Sequence, residues 1–139
     1  MCLRVFKKRP YISDKDITCY KVVYDTANIF KMKSLYCEFF YELGKVYNTE
    51  FGFRNYLIYE GFHSFKNYAD AVDSYYNHNG SMIVECTIPK GSKYYDGFES
   101  FTTVPGFVSN QLIMNKVVDD MQALRSLKHT RYISAIKRL

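Results

Sequence analysis

Tryptophan is absent from this chain of 139 residues, so a core that needs large side chains must take them from its 14 tyrosines and 11 phenylalanines. Most of those rings are therefore expected inside. No run reaches the roughly 18 apolar residues that a membrane-spanning helix requires. Met1-Cys2-Leu3-Arg4-Val5-Phe6-Lys7-Lys8 offers no apolar stretch between its charges and a cleavage site. A chain neither secreted nor inserted in a membrane is expected, and with it a cytoplasmic location. The cysteines are Cys2, Cys19, Cys37 and Cys86, widely spread, with no Cys-x-x-Cys pair and no His-x-x-x-His to complete a zinc site. Reduced thiols are the expectation, with no metal and no cofactor. Internal repeats and low-complexity segments are missing as well.

What is present is an ordinary globular composition, 47% hydrophobic and 24% charged. It is sufficient for one domain over residues 1–139 without help from a metal or a disulfide. The net charge of +5 is uneven. Arg125, Lys128, Arg131, Lys137 and Arg138 follow Met121 without one acidic residue, so the excess sits in the C-terminal tail and the rest of the chain is close to neutral. Residues 1–9 form a second basic segment, a short one.

Ile17-Thr18-Cys19-Tyr20-Lys21-Val22-Val23-Tyr24 is dense in β-branched and aromatic residues and reads as a central strand. Residues 25–40 fit a loose helical spacing and a strand composition alike. Gly44 suggests a bend into a short strand, and residues 54–60 read as another strand, ended by Gly61. Ser64 then serves as N-cap for a helix over 65–77, with Phe65, Tyr68, Ala69, Val72 and Tyr76 on one face and Asn79-Gly80 as its stop. Met82-Ile83-Val84-Glu85-Cys86-Thr87-Ile88 is a strand closed by Pro89-Lys90-Gly91, and residues 92–95 extend into a further short one. Residues 96–106, with their Gly, Ser, Thr and Pro, read as a loop, and 108–114 as one returning strand. Asp119 or Asp120 caps a final basic helix at about 119–139. The expected fold class is α+β: a mixed or mostly antiparallel sheet with one packed central helix and a C-terminal helix at its edge.

Three stretches resemble small proteins of tailed phages, notably of gut Bacteroidales and their prophages. They are Ile17-Thr18-Cys19-Tyr20-Lys21; Tyr41-Glu42-Leu43-Gly44-Lys45-Val46-Tyr47 leading to Gly61-Phe62-His63-Ser64-Phe65; and Val84-Glu85-Cys86-Thr87-Ile88-Pro89-Lys90-Gly91-Ser92-Lys93-Tyr94-Tyr95. The resemblance implies a phage setting, in the cytoplasm of an infected bacterial cell. The same landmarks follow the order of ADP-ribosyltransferase-like folds. Lys21 stands where that family has a first-strand Arg, Gly61-Phe62-His63-Ser64-Phe65 occupies its turn before a helix, and Gln111 stands where it has a late-strand Glu. A neutral Gln cannot stabilise the oxocarbenium-like state of glycosyl transfer from NAD, so this resemblance implies the fold without the reaction. It also implies that Lys21, His63 and Gln111 meet around one cleft. There Lys21 would hold a phosphate at the start of the helix, beside His63 and Ser64. Tyr94 or Tyr95 would stack a base, and Gln111 would hydrogen-bond it.

Each candidate also has a plainer role. His63 can pack and hydrogen-bond its turn, Ser64 can simply cap, and Lys90-Gly91-Ser92-Lys93 lacks the full phosphate-loop spacing and reads as a turn. Three function classes follow. The first is a non-catalytic binding protein, in a phage setting one that sequesters a nucleotide or cyclic-nucleotide signal or blocks a host defence protein. The second is a NAD-using ADP-ribosyltransferase-like enzyme. The third is a nucleic-acid-associated accessory protein, acting through Arg125, Lys128, Arg131, Lys137 and Arg138. The first is preferred, because no catalytic constellation emerges from the residues.

Overall fold

Aromatic and β-branched residues turn about half of the described chain into strands. The computed structural model describes residues 2–26, 31–35 and 39–118. Within them the chain forms β1 (Leu3–Arg4), β2 (Tyr11–Ile12), β3 (Ile17–Asp25), β4 (Met32–Ser34), β5 (Phe40–Tyr41), β6 (Val46–Asn48) and β7 (Gly52–Arg54). It continues with β8 (Leu57–Glu60), β9 (Phe62–Phe65), α1 (Tyr68–Tyr76), β10 (Ser81–Ile88), β11 (Lys93–Glu99), β12 (Pro105–Ser109) and β13 (Gln111–Val117). Every pairing among these strands is antiparallel.

The order across the sheet is β6-β13-β10-β3-β9-β12-β11-β1-β8-β7, with β2 on β11, β4 on β3 and β5 on β4. β3 is central, as its composition suggests, and runs in unbroken register with β10 from Ile17↔Ile88 to Tyr24↔Ser81. Only Asn110 separates β12 from β13, yet β12 pairs with β9 and β13 with β10. Two halves of one stretch of chain thus flank the run β10-β3-β9 on its opposite sides, and the sheet must curl back toward that stretch as a half-barrel. Asn110 holds the junction: its N–H donates to Lys93 O (3.0 Å), and its Oδ1 accepts from Lys93 N (2.9 Å).

Period-two alternation sorts the side chains. The concave face gathers Cys19, Val23, Phe62, Val84, Cys86, Phe107, Leu112 and Met114 into the main core. On the other face of β3, Tyr20 and Val22 pack with Ile83 against Ala71 and Val72 of α1. Leu3, Val5, Ile58, Tyr95 and Val108 make a smaller core under the β1-β8-β11 end.

The fold is therefore mostly antiparallel β, and the α+β expectation is corrected. The expected helix over 65–77 is the short α1, the single helix among the described residues, whose N-cap is Asn67, without a side-chain cap bond. Ser64 and Phe65 belong to β9, because Phe65 pairs with both Tyr20 and Gly106 and is drawn into the sheet. Phe65, Tyr68, Val72 and Tyr76 of the expected face do pack together, but Ala69 is exposed and Ala71 takes its place in the core. Residues 54–60 are a hairpin rather than a strand: Arg54 pairs with Leu57 across Asn55-Tyr56, and Asn55 takes φ 57°. The loop expected over 96–106 is confined to 100–104, with β11 and β12 claiming its two ends. Gly97 and Gly106 face each other in register, and a Cβ on Gly97 would run into the Arg4 carbonyl. These glycines mark close approach of neighbouring backbones, not a loop. Residues 108–114 span the end of β12 and the start of β13. The expected C-terminal helix at about 119–139 lies outside the described residues.

Candidate functional site

The cleft implied by Lys21, His63 and Gln111 does not assemble. Lys21 and His63 do meet, since Lys21 Nζ donates to His63 O at 2.6 Å. Gln111 is elsewhere. Lys21 is level with Val84, whereas Gln111 lies two residues past the Ile113↔Thr87 pair. About five residues of strand, roughly 17 Å, therefore separate them along the sheet. Gln111 has a structural occupation: its Nε2 donates to Asn48 Oδ1 (2.8 Å) and its Oε1 accepts from Ser92 Oγ (3.1 Å).

His63, Tyr94 and Tyr95 are engaged as well. The His63 ring is buried between two carbonyls, Nδ1 at 3.2 Å from Gly61 O and Nε2 at 3.1 Å from Ile58 O. Burial, and then the Lys21 charge, push its pKa down to about 4. Ser64 Oγ is buried with no well-formed hydrogen bond. The Cys19 thiol is the group it lies near enough to influence. Tyr94 and Tyr95 point to opposite faces. Tyr94 contacts the rings of Tyr11 (5.5 Å) and Phe107 (5.8 Å), and burial raises its pKa. Tyr95 is in the smaller core, where burial also raises its pKa, and its hydroxyl donates to Lys8 O at 3.0 Å. Lys90-Gly91-Ser92-Lys93 is a turn, with Gly91 at φ 87° and Ser92 N donating to Pro89 O. Arg125, Lys128, Arg131, Lys137 and Arg138 lie outside the described residues.

A different site is built where the N-terminal segment crosses the β7-β8 hairpin. Val5, Lys7, Lys8, Phe53, Asn55 and Tyr56 line a cavity of about 500 Å³, within the range of small-molecule sites. Its frame is fixed from below. Val5 N donates to Tyr56 O (2.9 Å), tying the segment to the hairpin, and the Tyr95 hydroxyl holds Lys8 O from the far side. The Phe53 ring packs against Tyr95 at 5.3 Å, while Phe51 closes on the same ring at 5.1 Å. Phe53 and Tyr56 nevertheless stay exposed by 42% and 49%.

Charge and aromatic surface alternate here. Lys7 Nζ sits 3.8 Å from the Tyr11 ring centroid and Lys8 Nζ 5.9 Å from that of Tyr56. Both cations thus lie beside aromatic faces and remain exposed. A second cavity of about 480 Å³, lined by Cys2, Phe53, Arg54, Leu57 and Tyr59, adjoins the first and shares Phe53 with it. Neither lining contains a carboxylate or a histidine. The arrangement can neutralise an anion, stack a planar ring and present an amide from Asn55; it offers no acid–base pair.

Sequence reasoning passed over this site although two signals were present. The basic residues of the first segment, Arg4, Lys7, Lys8 and Arg9, are interleaved with Phe6 and followed by Tyr11. Asn55 in the middle of an apolar run is a hairpin signal that would have placed Phe53 and Tyr56 on either side of a turn. Among the described residues no helix is long and apolar enough to cross a membrane. Comparison with protein families, with curated proteins and with solved structures finds no match to this chain.

Proposed function

We propose that this is a non-catalytic binding protein whose ligand is a phosphate-bearing aromatic molecule of the nucleotide class, held in the cavity of Lys7, Lys8, Phe53, Asn55 and Tyr56. The observation that carries the reading is the pairing of two exposed ammonium groups with two exposed rings on a backbone pinned at Val5 and Lys8. Lys7 and Lys8 supply charge for phosphate, Phe53 and Tyr56 supply faces for a base, and Asn55 supplies a donor and an acceptor for its edge. In the phage setting that the sequence resembles, such capture would withdraw a nucleotide signal from a host defence. Calorimetric titration with adenosine mono- and diphosphate and with a cyclic dinucleotide tests it. A Lys7→Ala, Lys8→Ala double variant should bind at least tenfold more weakly with unchanged circular dichroism. Binding unaffected by that variant, or no binding of any of the three at millimolar concentration, refutes the site.

A second reading has its own support. The adjoining cavity repeats the recipe with Arg54 and Tyr59 around the shared Phe53, which suits two successive nucleotides of a single strand. Affinity that climbs from mononucleotide to short oligonucleotide, and falls steeply with added salt, would favour the strand over the free nucleotide.

A further inference from the structure

The main core contains a feature the ligand site does not use. Cys19 on β3 and Cys86 on β10 are direct register partners, so they point to the same, concave face of the sheet. Both are fully buried. Opposed residues of an antiparallel pair have Cα atoms about 4.5 or 5.5 Å apart, inside the roughly 4.4–6.8 Å that a disulfide spans. The two thiols lie close enough to shift each other's ionisation. Cys86 Sγ also lies 3.4 Å from Met114 Sδ of the neighbouring β13 and 3.5 Å from Val84 O. Residues so placed have the Cα spacing that a disulfide requires.

We infer that Cys19 and Cys86 are a redox pair, converted by a hydroperoxide into a reversible cross-strand disulfide that locks β3 to β10. The surroundings divide the roles. The neighbouring Cys86 thiol favours the Cys19 thiolate, with Ser64 and the Lys21 ammonium acting in the same direction against burial. Cys86 is pushed the other way, by burial first and then by Cys19. Cys19 is thus the nucleophile and Cys86 the resolving thiol. The Cys19 thiolate attacks one peroxide oxygen, the O–O bond breaks, and the departing oxygen takes a proton and leaves as water or alcohol, giving a sulfenic acid. Cys86 sulfur then attacks the Cys19 sulfur, the S–O bond breaks, and the hydroxyl leaves as water with the Cys86 proton. Two thiols are oxidised and one peroxide reduced. Lys21, two residues or about 7 Å along the same face, is only part-buried and is the nearest charged residue of β3 on this face, past which the oxidant would approach.

The test treats the reduced full chain with hydrogen peroxide, alkylates it under denaturing conditions, and reads intact mass and a peptide map. Two of the four cysteines should be lost to alkylation, a peptide joining Cys19 to Cys86 should appear, and a phosphine reductant should restore all four. In Cys86→Ala, Cys19 should instead be trapped by dimedone as its sulfenic acid. If that variant does not fold, the wild-type peptide map still decides. Four alkylated cysteines after exhaustive peroxide, a crosslink through Cys2 or Cys37, or oxidation only to sulfinic and sulfonic acids overturns the inference. None of these readouts involves Lys7, Lys8 or the ligand, so this pair and the binding site stand or fall separately.

Discussion

His63 ties stability to pH in a way that can be worked out from its surroundings. Its ring lies between two backbone carbonyls and is 9% exposed, and its pKa falls from 6.5 to about 4. The cause is first burial, which penalises the imidazolium, and then the Lys21 ammonium bonded to its own carbonyl. The unfolded chain therefore binds a proton at this residue that the folded chain refuses, across the window between 6.5 and about 4. Acid favours unfolding there, and the contribution is whole above pH 6.5 and is lost progressively as pH falls to about 4. Integrated from pH 7 to pH 5, the loss is about 2 kcal/mol. Urea unfolding at both pH values, on the wild type and on His63→Gln, measures it. The wild type should lose about 2 kcal/mol more than the variant over this interval. Equal losses in the two proteins would show that His63 is not protonated differently in the folded and unfolded chains, and the reasoning from burial would fail.

Three further outcomes are expected. Gly97→Ala should destabilise by about 1–3 kcal/mol, read as a lowered thermal midpoint, because the new Cβ meets the Arg4 carbonyl and Val5 Cγ1; an unchanged midpoint would mean β1 can withdraw freely. Tyr95→Phe removes only the bond to Lys8 O and should cost about 1 kcal/mol while weakening nucleotide binding at the cavity whose rim it fixes; intact affinity would show that Lys8 needs no such anchor. Asn55→Val should cost about 1–2 kcal/mol, since φ 57° is poorly tolerated by a β-branched residue; Asn55→Gly should be nearly silent, and equal losses for both would put the cost in the side chain instead.

Strands whose composition and periodicity agree were legible before any coordinates. β3 and β10 lie within one residue of where their β-branched runs place them, because there propensity, alternation and turn signals point one way. The errors arise where a local rule met a tertiary demand. Ser64 has the chemistry of a cap, but pairing of its neighbours with β12 claims it for a strand. Gly97 and Gly106 have the composition of a loop, yet they are glycine so that strands can approach closely. The cleft of Lys21, His63 and Gln111 rested on chain order, and order does not fix the level of a residue along a ladder. The cavity went unread because its parts, residues 5–8 and 53–56, are far apart in sequence and meet only through β1 and β8.

The N-terminal segment has its ladder partners far downstream: Leu3 pairs with Ile58 on one side and Glu99 on the other. Such non-local pairing has to wait for loop closure, which slows folding and leaves early strands without partners during synthesis. β3 waits likewise for β10, and the half-barrel cannot curl until the chain has passed Asn110 into β13. A nascent chain emerging at roughly 5–20 residues per second thus carries Lys7, Lys8 and its unpaired β1 for some seconds before the binding cavity exists. Capture of a ligand belongs to the finished protein alone, and truncations that stop short of β11 should be unable to bind however intact residues 1–60 remain.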